Sequence, residues 1–272
     1  MTHIISMSSV SYMSVLSYRI EPVCSAAKPL SSRDLLSVEV IYKGPSSVVT
    51  ETQCGQLVVV TNSQRGLVPG GLQISDKDFA LFSKTVSVHQ HVSLGDFFQD
   101  HTLTPRPDLT LTQNNLDQTY LAQALLIAQM SSTVSAQMFK NLISQDAKRI
   151  SALIGAGPGA TPTGDDMLTG ALAACLATGD EKTFKSLSRI VRNKLMNTTR
   201  ASRHQLSWAY QRQFASVHLK LIDQMSCKQP PTDVIENAKR IGHTSGIDFL
   251  LGFLVQSVQI LKIKESKCQQ AI

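Results

Sequence analysis

Residues 163–170 read Thr163-Gly164-Asp165-Asp166-Met167-Leu168-Thr169-Gly170, and residues 245–252 read Ser245-Gly246-Ile247-Asp248-Phe249-Leu250-Leu251-Gly252. Both stretches carry a hydroxyl residue, Gly, any residue, Asp, an apolar residue, Leu, any residue and Gly in the same order. Each stretch follows a loop of glycine and small polar residues and leads into an apolar run with helical spacing. The near-repeat therefore predicts two helix N-termini built to one plan, and we expect them to face a common pocket.

The loop before the first stretch is Gly155-Ala156-Gly157-Pro158-Gly159-Ala160-Thr161-Pro162. Its glycines allow backbone conformations that are closed to other residues and let a ligand approach the main chain closely. Amides of such a loop, followed by a helix N-terminus, suit phosphate or another oxyanion. The loop lacks the Gly-Lys-Ser/Thr of a Walker sequence and is not a dinucleotide fingerprint. Its candidate substrate-binding residues are Gly157, Gly159, Thr161, Thr163 and Gly164.

Three aspartates in the near-repeat, Asp165, Asp166 and Asp248, are candidate catalytic carboxylates. An acidic residue in the first turn of a helix interacts favourably with the helix dipole, so capping alone would explain either copy. Alternatively, the carboxylates orient hydrogen-bond donors or hold Mg²⁺. In both copies a glycine follows the aspartate by four residues and permits close helix approach. We therefore favour the functional interpretation.

A second candidate segment is Asn197-Thr198-Thr199-Arg200-Ala201-Ser202, where one helical pattern ends and another begins. Thr198 or Thr199 is expected to be the N-cap of the next helix. The functional alternative is that these hydroxyls and the Arg200 guanidinium bind a carboxylate or phosphate, which Arg does in bidentate fashion.

The loop before the second stretch contains a third candidate, His243. A histidine beside a glycine-hydroxyl turn can transfer a proton, although a lone histidine is more often a structural hydrogen-bonding residue. The remaining candidate substrate-binding residues here are Thr244, Ser245 and Gly246.

Near residue 116 the sequence pattern changes from short β-rich runs to helical spacing. This change predicts an α+β protein with domains at residues 1–115 and 116–272. In the first part, short β-rich runs alternate with turns and indicate a small barrel or sandwich. The segment Asp100–Asn115 is expected to be the connection. The predicted strands are Val15–Ile20, Val38–Tyr42, Ser47–Thr50, Leu57–Thr61, Gly71–Ile74 and Thr85–Leu94. The predicted helices cover Leu116–Ala128, Val134–Leu153, Asp165–Ala177, Glu181–Met196, Ala201–Leu221, Thr232–Arg240 and Ile247–Ile263.

Composition limits the classes of protein and partner. The hydrophobic fraction of 42% and charged fraction of 17% are typical of a folded protein. No apolar stretch approaches the roughly 20 residues that cross a bilayer. The first 20 residues do not resemble a signal peptide, and five separated cysteines favour a reducing environment. We therefore expect a cytoplasmic protein without a membrane partner.

The net charge of +6 is concentrated between Lys182 and Arg212, where basic residues occur without any acidic residue among them. Such a segment attracts phosphates, carboxylates, nucleic acid or an acidic partner. No nucleic-acid-binding motif accompanies the charge, so we do not expect nucleic acid as the partner. A solvated helix face is the alternative interpretation.

Taken together, these motifs resemble the bacterial family that supplies the small third subunit of oxamate carbamoyltransferase, the enzyme of anaerobic allantoin degradation. The resemblance rests on the Gly157–Asp166 segment, on Thr198-Thr199-Arg200-Ala201-Ser202, on the Gly242–Asp248 segment, and less specifically on Pro69-Gly70-Gly71. The motifs follow the family's order over most of the chain. Ala160 stands where leucine is more usual.

The resemblance implies a purine-catabolic reaction in which oxalurate and phosphate yield oxamate and carbamoyl phosphate. It also implies partners, namely two larger subunits of the same complex, and small anionic substrates. On this hypothesis the Gly155–Gly164 loop binds the phosphate or carbamoyl oxygen, Arg200 binds a substrate carboxylate and His243 transfers a proton. A non-catalytic assembly subunit and a metal-dependent hydrolase are the alternatives.

Overall fold

The structure is a computed structural model that describes residues 15–16, 37–53, 55–94, 109–144 and 146–270, with side chains as far as residue 266. The chain divides into two compact units, with the boundary between residues 108 and 109. The first unit contains a mixed sheet and the second is helical, which confirms the α+β class. Residues 100–108 of the predicted connection lie outside the described residues, whereas residues 109–115 belong to the helical unit.

The first unit contains one sheet in the order β1-β5-β4-β3-β2-β6. Neighbouring strands are antiparallel except β4 and β5, which are parallel. Five of the six predicted strand positions are confirmed within a few residues, as far as the structure describes them. The strands are β1 (Val15–Leu16), β2 (Val38–Lys43), β3 (Ser47–Thr52), β4 (Leu57–Thr61), β5 (Gly71–Ile74) and β6 (His91–Val92).

The predicted barrel or sandwich is wrong for the residues that the structure describes, because their strands form a single sheet that ends at β1 and β6. The sequence prediction missed helix α1 (Asp76–Thr85), and it extended the last strand into this helix. Phe79 and Phe82 of α1 are buried in one cluster with the valines of the sheet. A helix therefore supplies the apolar cover that a second sheet would otherwise give.

The second unit consists of nine described helices. They are α2 (Gln118–Met130), α3 (Ala136–Ile143), α4 (Ala147–Ser151), α5 (Thr163–Ala177), α6 (Glu181–Lys194), α7 (Arg200–Ala209), α8 (Ser216–Ser226), α9 (Pro231–Lys239) and α10 (Ser245–Gln270). A short 3-10 turn, Leu195–Asn197, joins α6 to the loop before α7.

Two predicted helices are each divided in the structure. The helix predicted over Val134–Leu153 becomes α3 and α4, because Asp146 caps a new helix by accepting a hydrogen bond from the Arg149 amide. The helix predicted over Ala201–Leu221 becomes α7 and α8. Residues 109–111 pair in an antiparallel bridge with residues 212–214, and this pairing requires extended backbone between the two helices.

Helices α5 and α10 form the centre of the helical unit, and every α5 residue from Gly164 to Ala177 is buried. A Cβ atom at Gly170 would lie 2.0 Å from the carbonyl oxygen of Phe249, and one at Gly252 would lie 2.0 Å from that of Met167. Met167 and Phe249 occupy the same place in the two motif copies. The near-repeat therefore produces a helix pair with approximate twofold symmetry, in which each final glycine contacts the backbone of the other helix.

Helix α10 is an exception to the expectation that no apolar stretch approaches the length needed to cross a bilayer. Its segment Ser245–Ser266 is long and apolar enough to cross a membrane by length and composition, and 78% of the apolar window is buried inside the protein. A central helix that is surrounded by other helices is apolar on all sides and passes the same test.

Candidate functional site

The first turns of α5 and α10 lie side by side, as the near-repeat predicts. The hydroxyl oxygens of Thr161 and Ser245 are 2.8 Å apart. The Thr163 hydroxyl, at the start of α5, acts to lower the pKa of the Asp248 carboxyl in α10, against the effect of burial. Two helix N-termini therefore meet at one place, and the partial positive charge of both helix dipoles is directed there.

The glycine loop presents its backbone to solvent beside these helix starts. Gly155, Gly157 and Gly159 have φ values of 76°, 117° and 92°, which side chains rarely adopt. Residues 157–160 are exposed. Within the described part of the chain, the amides of residues 157 and 159–161 have no hydrogen-bond acceptor. The loop therefore offers several N–H donors to a ligand.

Both ends of this loop are fixed by hydrogen bonds. The Gly155 amide donates to Asp165 Oδ1 at 2.9 Å, and the Gly164 amide donates to the Ala156 carbonyl at 2.8 Å. The Thr199 hydroxyl donates to the Ala160 carbonyl at 2.5 Å. The donors at the apex are thus held in place before any ligand binds, which is the condition for strong electrostatic stabilisation.

Asp165 fixes this loop to the segment before α7. Its second carboxylate oxygen accepts a hydrogen bond from the Thr198 hydroxyl, and its side chain is fully buried. Burial raises the pKa of the Asp165 carboxyl, while hydrogen bonds from Thr198 and Gly155 act in the opposite direction. Because both oxygens are bound by protein groups, the structure gives Asp165 a positioning role instead of the catalytic role predicted for it.

Replacing Asp165 with alanine is expected to loosen the glycine loop. The change leaves the Gly155 amide and the Thr198 hydroxyl without their acceptor, which should lower the free energy of unfolding by about 1–3 kcal/mol. Hydrogen exchange of the Gly155 amide should become faster than in the unaltered protein. Asp180→Ala is the matched control, because it removes the aspartate cap of α6 without touching the loop. Unchanged exchange at Gly155 would contradict the positioning role.

Asp166 contacts a residue that the sequence analysis missed, Gln205 of α7. The Gln205 amide nitrogen donates to Asp166 Oδ1 at 2.7 Å and to the Thr169 hydroxyl at 3.1 Å. Gln205 follows Ser202 by three residues and so lies on the same face of α7. This spacing from Ser202 was the only sequence signal for Gln205. It can be interpreted only when Ser202 is known to face α5.

Asp248 is 2% exposed, and its Oδ2 atom has no hydrogen-bond partner among the described residues. Burial raises the pKa of its carboxyl, and the hydroxyls of Thr163 and Thr244 partly offset this effect. A buried carboxyl with one oxygen unsatisfied costs stability, and such groups occur where function requires them. Because Asp165 and Asp166 accept hydrogen bonds from Gly155, Thr198 and Gln205, Asp248 is the strongest catalytic candidate of the three aspartates.

The other predicted residues differ in whether a contact supports the role predicted for them. Thr199 is the N-cap of α7 and accepts a hydrogen bond from the Ser202 amide at 3.1 Å, so this prediction is confirmed. Arg200 begins α7 and is exposed. His243 is exposed and forms no hydrogen bond with the described residues, so no contact supports its predicted proton transfer.

Two glycines predicted to bind substrate instead permit close packing. A Cβ atom at Gly164 would lie 2.0 Å from the Leu153 carbonyl oxygen, and one at Gly246 would lie 2.1 Å from that of Ala238. Both glycines are buried. Their absent side chains are explained by neighbouring backbone, and no ligand is needed to explain them.

The described residues contain no group of three or more His, Cys, Asp and Glu side chains arranged to hold a metal ion. Among the described residues, Asp165, Asp166 and Asp248 are therefore not gathered into one cluster of metal ligands, and a Mg²⁺ requirement stays a prediction. The oxygens of Asp165 are already bound by Gly155 and Thr198, which explains why it is not a free ligand.

The comparison with known families bears on the segment that carries this site. No solved structure matches the chain significantly. Residues 153–257 match the family model described as "Oxamate carbamoyltransferase subunit AllH". The matched segment contains both motif copies, the Thr198–Ser202 segment and Gln205. The resemblance recognised from the motifs is thereby confirmed over this segment, and residues 153–257 are similar to the AllH subunit of oxamate carbamoyltransferase.

Proposed function

We propose that this chain forms the phosphate- and carbamoyl-binding part of a complex that interconverts oxalurate and phosphate with oxamate and carbamoyl phosphate. The observation that carries the proposal is the exposed glycine loop, whose unbonded amides lie where the N-termini of α5 and α10 meet. The family match supports a role as an oxamate carbamoyltransferase subunit.

The reaction makes demands that these groups can meet. A phosphate oxygen attacks the carbamoyl carbon of oxalurate, forming a C–O bond and a tetrahedral oxyanion. The C–N bond then breaks, and the leaving nitrogen takes a proton to give oxamate. Fixed N–H donors stabilise the oxyanion and the phosphate, and positioning brings the two substrates together.

The proposal assigns a role to each remaining polar group. The amides of residues 157 and 159–161 bind the anionic oxygens. Arg200, exposed at the start of α7 and next to Thr199, which contacts the loop, binds the substrate carboxylate in bidentate fashion. The carboxyl of Asp248, buried between the hydroxyls of Thr163 and Thr244, supplies a proton to the leaving nitrogen.

A change at Gly159 tests the loop. Gly159 has a φ of 92° and no atom within 4 Å of an added Cβ, so alanine would alter the backbone conformation without a clash. We expect Gly159→Ala to weaken binding of inorganic phosphate to the reconstituted complex by about tenfold, because one or more amide donors would point away. Phosphate affinity is measured by calorimetry.

The chain provides a matched control for this experiment. Gly55 has a φ of 81° and equally open surroundings, but it lies in the β-unit. Gly55→Ala should leave phosphate binding unchanged. Equal affinity in both variants and the unaltered protein would overturn the assignment of phosphate to this loop.

A second candidate function is assembly without catalysis. It is favoured by the four motif glycines, 164, 170, 246 and 252, each of which closely approaches neighbouring backbone. If this is the only role, Gly159→Ala should assemble normally with the larger subunits and retain full carbamoyltransferase activity.

A further inference from the structure

One exposed face of α6 carries four basic side chains, Lys182, Lys185, Arg189 and Arg192, which we call the basic face. Their spacing of three, four and three residues places them on one side of the helix. The opposite side, formed by Phe184, Leu187 and Val191, is buried in the core. The basic face is therefore directed away from the core of the helical unit.

The charges of the basic face are largely uncompensated. Lys182, Lys185 and Arg189 form no ion pair with a residue in the described ranges. The Arg192 guanidinium lies 5.7 Å from the centroid of the Tyr210 ring. The acidic residue at the start of the helix, Glu181, is paired with Arg212 instead. Such a row of positive charge attracts a surface of opposite charge.

The segment that follows the basic face in the chain lies against the glycine loop. After α6, Met196 is 76% exposed, and its sulfur atom accepts a hydrogen bond from Arg203. The next residue, Asn197, has its carbonyl oxygen 2.4 Å from the position of a Cβ at Gly155. An exposed methionine beside arginine is typical of the centre of a protein interface. A partner on this face would thus reach the edge of the candidate site.

A shallow cleft of about 470 Å³ lies at the same end of α6. It is lined by Ala147, Lys148, Ser151, Ala152, Lys194 and Asn197. Lys148 and Lys194 extend the positive charge around the end of the helix, and none of the residues predicted to bind substrate lines the cleft. The cleft therefore belongs with the basic face, where it can receive a protruding acidic side chain.

We propose that the basic face is the docking surface for an acidic surface on one of the larger subunits of the complex. Charge complementarity identifies the partner's chemistry, and the position beside the glycine loop explains why docking would matter. The unbonded donors of the glycine loop are backbone amides, so a docked subunit can complete the site with side-chain groups. The inference goes beyond the proposed reaction and depends on the family match.

Charge reversal tests this surface. The double variant Lys185→Glu with Arg189→Glu is mixed with the purified larger subunits, and binding is measured by biolayer interferometry without substrates. The dissociation constant should rise at least about tenfold, mainly through slower association. Binding of the unaltered protein should weaken as NaCl is raised from about 50 to about 300 mM, because salt screens exposed charges.

Three controls make the result decisive. Lys220→Glu reverses one charge at an exposed position of α8, half the charge change of the double variant, and should leave binding within about twofold. The neutral variant Lys185→Gln with Arg189→Gln should show an intermediate loss. Circular dichroism should give the same melting temperature for all variants, since both altered side chains are exposed.

Two outcomes would overturn the inference. One is a double reversal that binds the larger subunits as tightly as Lys220→Glu does. The other is a labelled 20-base-pair DNA duplex that binds the unaltered protein at about 150 mM salt and is lost on reversal, while subunit binding is unchanged. A complex that forms through the basic face but lacks carbamoyltransferase activity would contradict the proposed reaction and leave this inference standing.

Discussion

Gly252→Ala is expected to lower the free energy of unfolding of the helical unit by about 3 kcal/mol or more, at the upper end of the range for overpacked cores. The new methyl group would lie 2.0 Å from the carbonyl oxygen of Met167, which is backbone and cannot turn aside. Helices α5 and α10 would have to separate along the centre of the unit. Urea unfolding followed by circular dichroism at 222 nm measures the loss.

The sign of this effect distinguishes packing from helix propensity. Alanine normally stabilises a helix relative to glycine by about 1 kcal/mol, so propensity alone predicts a gain. Ser186→Ala at an exposed position of α6 serves as the control and should give a small gain. Gly170→Ala should resemble Gly252→Ala, because the two glycines are equivalent in the helix pair. Increased stability in both variants would contradict the observed packing.

Asp248→Asn is expected to reduce carbamoyltransferase activity of the reconstituted complex by about 10²- to 10⁴-fold, the usual contribution of a positioned acid or base. The same change should not lower the free energy of unfolding at pH 7. Asparagine keeps the shape of the side chain and is neutral, which is the form that burial favours at this position. Activity and stability would therefore change independently, as expected of a catalytic residue.

The pH dependence of unfolding gives a second readout for Asp248. Its carboxyl pKa is raised in the folded protein, so between the two pKa values the folded state binds more protons than the unfolded chain. Its contribution favours folding at pH below the ordinary aspartate pKa and is lost as pH rises through the raised pKa. Asp248→Asn should remove this part of the decline, whereas the contribution of Asp165, which has the same sign, should remain.

An exposed carboxylate provides the comparison for these measurements. Asp223→Asn, on α8, removes one negative charge without touching the helix starts. It should leave activity unchanged. If Asp248→Asn keeps full activity, the carboxyl is not a proton donor; if it strongly destabilises the protein at pH 7, Asp248 is a structural hydrogen-bonding residue.

Several features were predictable because they depend on local chemistry. Thr199 has a side chain that can accept from an amide of a first helical turn, and it is the N-cap of α7. Strand positions followed from β-branched residues between turns. Helix α1 was missed because its first turn is polar. Its two phenylalanines are buried only through packing against the sheet.

The roles of individual site residues were less predictable, because similar residues have different neighbours. Asp165 and Asp166 are adjacent in the sequence, yet one anchors Gly155 and Thr198 while the other contacts Gln205. Adjacent residues on a helix point about 100° apart, so they meet different elements. The sequence does not identify which element each of the two side chains will contact.

The sequence by itself determined that two glycine- and aspartate-bearing segments begin helices after loops, because glycine, hydroxyl and carboxylate groups act within a few residues of their own position. Packing of the folded chain, and not local sequence, places Gly170 and Gly252 against each other's helices and brings Thr161 to Ser245. Those contacts join segments about eighty residues apart, and they depend on packing of the whole unit. Local propensity carries no information about such distant partners.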